Sequence, residues 1–334
     1  MPPDNTPRAE RIIAVGGGKG GVGKSVIASN LAVALAQGGK RVLVFDADLG
    51  AANQHTLFGI DRPGPGLYGY LARGLATLSD AIVQTGVPDV SLIPGSAGIP
   101  GCANIKHTQK RRMIRALTDL DYDAIIIDVG AGVAFNTVDF WDVADLRLTV
   151  MTPQLTSIQN AYAFLKSAVY RVIHGLGRDR AEKAAIAEAE RKGGPAAPVT
   201  TLISQLDTVA RDLVPRVTTA LSHFGCYIVG NQIFADDDVA SLMNVGRLVR
   251  DYLGVHAPVA GTLRSHRAVH ESVNRRSPLL VTDSVSRNAR ELRRMARMLS
   301  AENVQRLRDG RAGKTPPQYP RHPTGPVQVV DALI

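Results

Sequence analysis

Short, continuously apolar runs alternate with longer amphipathic stretches along most of the chain. Runs at 12–15, 41–45, 90–94, 124–128, 146–151, 227–232, 257–263 and 278–281 are too short for helices. Predominantly apolar character at that length is what strands buried on both faces require. Between the runs the spacing turns helical. Ile27, Leu31, Ala34 and Leu35 share one face, and Gly38-Gly39 close that helix. Further helices are expected at 67–82, at 106–120 with Met113, Ile114 and Leu117 turned inward, and from the 150s through His174. The last three are expected at 206–224, at 236–253 with an acidic first turn, and at 286–307. Strand–helix alternation of this kind predicts an α/β fold, a doubly wound and mainly parallel sheet with helices on both faces.

The same pattern sets the expected boundaries. Residues 1–9 form a short disordered N-terminus, 10–308 one domain with a charged helical insertion at about 178–198, and 309–334 a Pro-rich disordered tail. The tail ends in an apolar octapeptide, 327–334. No apolar run approaches the ~18 residues of a membrane span, and two cysteines, Cys102 and Cys226, supply neither a disulfide framework nor a metal spacing. A cytoplasmic enzyme is the expectation. The net charge of +9 is concentrated late, since 264–311 holds twelve arginines, no lysine and five acids. Such a surface can meet nucleic acid, anionic lipid or an acidic partner, and it can equally be a solvated basic helix.

Chemistry enters at residues 18–25. Gly18, Gly23, Lys24 and Ser25 satisfy G-x-x-x-x-G-K-[ST], the phosphate-binding loop of P-loop NTPases, between a predicted strand and a predicted helix. The backbone N–H groups of Gly18, Lys19, Gly20, Gly21, Val22, Gly23, Lys24, Ser25 and Val26 can ring a phosphate at the positive end of the helix. Lys24 would neutralise the β- and γ-phosphates and the Ser25 hydroxyl would ligate Mg²⁺. The second strand delivers Asp46 and Asp48 to its carboxyl end, where ligands sit in open α/β sheets. Lying two apart, they share a face: Asp48 can orient a water and Asp46 lies nearer a metal. The strand 124–128 ends in Asp128, a Walker B pattern that reaches Mg²⁺ through water. Asn231 ends another strand, and an amide there can pair with adenine or simply cap the next helix.

Lys19-Gly-Gly-Val-Gly-Lys-Ser25 resembles the deviant Walker A loop of the MinD/ParA ATPases, in which the first lysine crosses to the phosphates of a partner subunit. Residues 46–53 resemble that family's switch I and 129–132 its switch II. Gly130 stands where MinD would show a proline, and this favours the FlhG (FleN) branch, as does the run Thr152-Pro-x-x-Thr-Ser-Ile-x-x-Ala-Tyr162. At 263–266, Leu-Arg-Ser-His departs from the family's base-flanking loop, so nucleobase contacts there are not carried over. The resemblance spans roughly 10–308. It implies ATP and Mg²⁺ as cofactors and slow hydrolysis with Lys19, Lys24 and Asp48 catalytic. Ser25, Asp46 and Asp128 hold the metal, and Asn231 touches adenine.

By the same resemblance the chain forms an ATP-dependent homodimer and meets a protein partner that stimulates hydrolysis. The implied role is positioning or counting polar or flagellar machinery, in the cytoplasm or peripherally at the inner membrane or pole. The alternative is a ParA-like partition ATPase whose basic C-terminal region grips DNA without reading sequence. Membrane binding is not expected. Ala289, Leu292, Ala296 and Leu299 form the stripe that a last helix needs to bury, and the octapeptide carries no cation. Relatives with cysteines beside switch II, a Cys-x-x-Cys pair or a tyrosine-rich tail are excluded, because none of these features is present.

Overall fold

Alternate side chains of each central strand enter opposite cores. Ile12 and Ala14, Leu43 and Phe45, and Ile125 and Ile127 belong to one apolar cluster. Ile13 and Val15, Val42 and Val44, and Ala124 and Ile126 belong to the other. This two-sided burial is the physical reason that the runs are continuous rather than alternating. The computed structural model describes residues 9–95, 105, 107–133, 135–194, 197–302, 304, 305 and 307. The expected N-terminal and C-terminal tails, the octapeptide and Cys102 lie outside the described residues, apart from Ala9.

The first half runs β1 (Ile12–Gly17), α1 (Lys24–Gln37), β2 (Val42–Asp46), α2 (Gln54–Leu57), α3 (Gly66–Leu71), β3 (Val83–Gln84), β4 (Val90–Ile93), α4 (His107–Thr118), β5 (Ala124–Ala131) and α5 (Phe135–Asp142). The second half runs β6 (Leu146–Met151), α6 (Leu155–Gly175), α7 (Arg180–Gly193), α8 (Val199–Val209), α9 (Leu213–Ser222), β7 (Cys226–Ile233), α10 (Asp236–Leu253), β8 (Val259–Arg264), α11 (Arg267–Asn274), α12 (Leu279–Thr282) and α13 (Arg287–Ala301). The strands form one sheet in the order β3-β4-β2-β5-β1-β6-β7-β8. All pairs are parallel except β3 with β4. The chain leaves β1 towards one edge and later returns to the other side of β1, so the loop after β1 sits at the topological switch point.

Local chemistry accounts for most boundaries. Asp238 accepts the Ala235 backbone N–H (3.0 Å) at the acidic start of α10, and Gly254 ends that helix at φ 67°. Ser286 caps α13 by accepting the Ala289 N–H at 3.2 Å. The α13 stripe of Ala289, Leu292, Ala296 and Leu299 is buried against the sheet, as a last helix of the fold requires. On the opposite face, Trp141 is wholly buried, edge-on to Phe164 at 5.1 Å. Such a ring pair adds about 0.5–1.5 kcal/mol beyond burial. Asp139 of α5 accepts from Arg171 of α6 at 2.8 Å and pairs with Lys110 of α4, tying three helices together.

Three expectations are corrected. The stretch 67–82 is not one helix: it breaks at Arg73 (φ 61°) and Gly74, and the following residues lead into β3 on the edge of the sheet. The stretch 206–224 is two helices, because Pro215 would clash with the carbonyl four residues back in a continuous helix; it sits instead in the first turn of α9. Residues 278–281 form no strand. Pro278 caps the single turn α12, and the Leu280 N–H is taken by Asn30 Oδ1 of α1 at 2.9 Å. Within the expected insertion, α7 packs its Ile186 and Ala189 inward, and Glu182 pairs with Arg216 of α9 at 2.7 Å. The short helices α5 and α11 were not anticipated.

Candidate functional site

The loop between β1 and α1 has the backbone that its glycines predict. Gly23 takes φ 92° immediately before α1, a left-handed turn that aims successive N–H groups at the space before the helix. Gly18 lies against the first turns of α6, where an added Cβ would stand 1.9 Å from the Asn160 carbonyl oxygen. Thus α6 is a wall of the loop, a role its sequence did not reveal. Lys24 is buried at the start of α1 and its Nζ donates to the Lys19 carbonyl at 3.2 Å. Burial lowers its pKa, against the pull of Asp128 and Asp48, so both carboxylates lie close enough to act on it. Lys19 points elsewhere, and its Nζ donates to Thr156 Oγ1 of α6 at 3.1 Å.

The sheet brings the acids together. Asp46 and Asp128 are register partners at the carboxyl ends of β2 and β5, and Asp128 also pairs with Val15 of β1. Both are buried. Asp46 accepts backbone N–H groups of Asp48 (3.2 Å), Asn53 (3.0 Å) and Gln54 (3.0 Å). Burial and then the Asp128 charge nevertheless push its pKa up to about 8. Asp128 is pushed up by burial to about 6, opposed by hydrogen bonds from Ser25 and Gln54 and by Lys24. Asp48 is half-buried; its Oδ1 accepts the N–H groups of Gly50 (3.3 Å) and Ala51 (2.9 Å). Its carboxylate also lies on the backbone at Gly130, where a Cβ would come within 3.2 Å of Asp48 Cγ. The segments 46–53 and 129–132 therefore touch through this pair.

Sequence reasoning missed Gln54. It is wholly buried, and its Nε2 donates to Asp128 Oδ2 (2.7 Å) and to the Ser25 carbonyl (3.1 Å). The only signal was a polar residue directly after the switch I run. Asn231 reaches the loop from β7, its Nδ2 donating to the Val22 carbonyl at 2.8 Å. The 263–266 loop is occupied with its own fold: Ser265 donates to the Ile233 carbonyl at 2.9 Å, and His266 caps α11.

The donor set suits a hard divalent cation. Two buried carboxylates lie side by side, a hydroxyl bonds one of them, and Gln54 Oε1 is buried without a hydrogen-bond partner. No cluster of three or more His, Cys, Asp or Glu side chains able to hold a metal occurs among the described residues. The residues named from the sequence as loop, metal and switch positions thus converge on one end of the sheet. Among the described residues no helix is long and apolar enough to cross a membrane.

A protein-family profile described as an AAA domain matches residues 10–174. The antiactivator FleN of Pseudomonas aeruginosa is 36% identical over 172 residues, 51% of this chain and 60% of that protein. The flagellum site-determining protein YlxH of Helicobacter pylori is 37% identical over 162 residues, 47% of this chain and 53% of that one. The matched segment therefore spans little more than half of these relatives' own length. Among solved structures, septum site-determining MinD of Pyrococcus horikoshii, complexed with Mg-ADP, superposes with a TM-score of 0.59 at 21% identity over 87% of this chain and 96% of its own. A ParA family ATPase of Chlorobium tepidum gives 0.59 at 20% identity, over 86% and 98%. Both likenesses establish the P-loop NTPase fold.

Proposed function

From a chain that belongs to the MinD/ParA family of P-loop ATPases and has FleN-like relatives, we propose an ATP-dependent dimerising switch that positions or counts polar or flagellar machinery. The observation that carries the reading is the convergence of Lys24, Asp48 and Asp128 beside a glycine loop at a helix N-terminus.

In this reading the loop N–H groups and Lys24 hold the β- and γ-phosphates of ATP. Ser25, Asp46 and Asp128 would hold Mg²⁺, which supplies charge neutralisation at the phosphate oxygens when bound. Asp48 orients the attacking water. It rests on its own loop through Gly50 and Ala51 and against Gly130, so a shift of either switch moves it. In this reading Lys19 serves the partner subunit's phosphates rather than its own; in the single chain its Nζ donates to Thr156 Oγ1 at the start of α6. Asn231, held on the Val22 carbonyl, contacts the adenine ring in this reading. Hydrolysis separates the dimer, and a protein partner sets its rate.

Three variants test this with one nucleotide-binding assay and one sizing assay. Lys24→Ala abolishes ATP binding. Asp48→Ala keeps ATP binding and traps the dimer without turnover. Lys19→Ala keeps ATP affinity and loses dimer and turnover together; a loss of affinity matching that of Lys24→Ala would overturn its action across the dimer. The arginine-rich last helix keeps a second reading open, a DNA-bound partition ATPase. Salt-sensitive, sequence-independent DNA binding seen only with ATP would select it.

A further inference from the structure

Gln54 has no part in the motifs, yet its amide and its backbone N–H join three parts of the site. One amide nitrogen bonds both Asp128 Oδ2 (2.7 Å) and the Ser25 carbonyl (3.1 Å). The same residue's backbone N–H bonds Asp46 Oδ2 at 3.0 Å. A single residue at the start of α2 therefore joins switch I, the phosphate loop and the Walker B strand. Its other amide atom, Oε1, is buried and has no hydrogen-bond partner. A buried amide oxygen left unpaired costs about 1–3 kcal/mol, so its retention beside two carboxylates and a serine calls for a ligand that satisfies it.

We propose that Gln54 is a positioning residue for the metal half of the site. Its N–H group locks Asp128 to the Ser25 backbone, and its free oxygen accepts from a water of the bound cation's hydration shell. The inference rests on the Mg²⁺·nucleotide reading above and adds a residue to it. Mg²⁺ keeps several waters and is bound through few carboxylates, so groups that orient those waters set its affinity. Outer-shell partners of this kind are typically worth ten- to a hundredfold in metal affinity.

The test uses the full chain, ADP as the nucleotide and Mn²⁺ as a spectroscopically visible probe of the cation site. Titration of ADP in EDTA and in Mn²⁺ gives the gain in affinity due to metal, and electron paramagnetic resonance counts bound Mn²⁺. Gln54→Met keeps the volume and unbranched shape while removing both polar functions. Its ADP affinity in EDTA should stay within about twofold of the parent, while the metal-dependent gain falls about ten- to a hundredfold.

A metal-dependent gain unchanged in Gln54→Met overturns the proposal. So does an equal loss in EDTA and Mn²⁺, which would mark Gln54 as a brace for the loop alone. A parent chain that binds ADP with no gain from Mn²⁺ refutes the metal reading itself, and this inference with it.

Discussion

Burying two carboxylates together makes the nucleotide-free chain less stable as the pH rises. In the fold Asp46 is pushed up to about 8 and Asp128 to about 6, against about 3.9 for an aspartate in an unfolded chain. Between those values the folded chain holds protons that the unfolded chain has released. Stability is therefore greatest below about pH 4 as far as this pair is concerned, and is lost as pH rises through the folded values. One held proton is worth about 1.4 kcal/mol per pH unit, less near the folded pKa, so Asp46 alone accounts for roughly 3–4 kcal/mol between pH 5 and pH 8. Exposed carboxylates whose pKa is lowered by hydrogen bonds, such as Asp80, Asp121 and Asp238, change only at lower pH. His55, lowered by burial and Arg276, works the other way, with stability lost as pH falls through its unfolded value.

Comparison with Asp46→Asn cancels those contributions. Urea unfolding can be followed by the fluorescence of Trp141, the single tryptophan and fully buried. The parent should lose stability relative to Asp46→Asn by about 1 kcal/mol for each pH unit from 5 to 8. Parallel stability curves for the two proteins would refute the buried-pair argument.

Three further outcomes follow from particular contacts. Gly18→Ala forces its Cβ onto the Asn160 carbonyl; it should cost about 1–3 kcal/mol and weaken ADP binding, whereas Gly175→Ala, with open space around it, should change neither in thermal melts and titrations. Cys226 is fully buried and its thiol is pushed up to about 12, so iodoacetamide at pH 8 should leave its peptide unlabelled until the chain is unfolded, and labelling of the native chain at the unfolded rate would contradict this. Asn231→Ala should narrow the preference for ATP over GTP in competition binding; an unchanged preference would leave Asn231 as a support of the Val22 carbonyl only.

The sequence by itself determined the elements whose signals are local. The glycine loop, the capped helices α10 and α13 and the buried central strands follow from turn chemistry, capping and apolar runs that need no distant partner. Where local signals conflict, tertiary contacts decided. Pro278-Leu-Leu-Val281 has the composition of a strand but becomes a turn of helix, because Asn30 captures the Leu280 N–H and the sheet edge lies elsewhere. A short apolar run fits either state, and only its neighbours choose.

The site shows the same division. Asp46 and Asp128 were legible as strand-end acids, but their adjacency was not. It exists because β5 inserts between β1 and β2, which makes residues 82 positions apart register partners. Their raised pKa values follow from that insertion, since it buries both acids and sets the Asp128 charge beside Asp46. Gln54 was invisible for the same reason. A lone glutamine in a chain carries no pattern, and its meaning appears only when Ser25, 29 residues before it, and Asp128, 74 residues after it, fold onto the two ends of its amide nitrogen's reach.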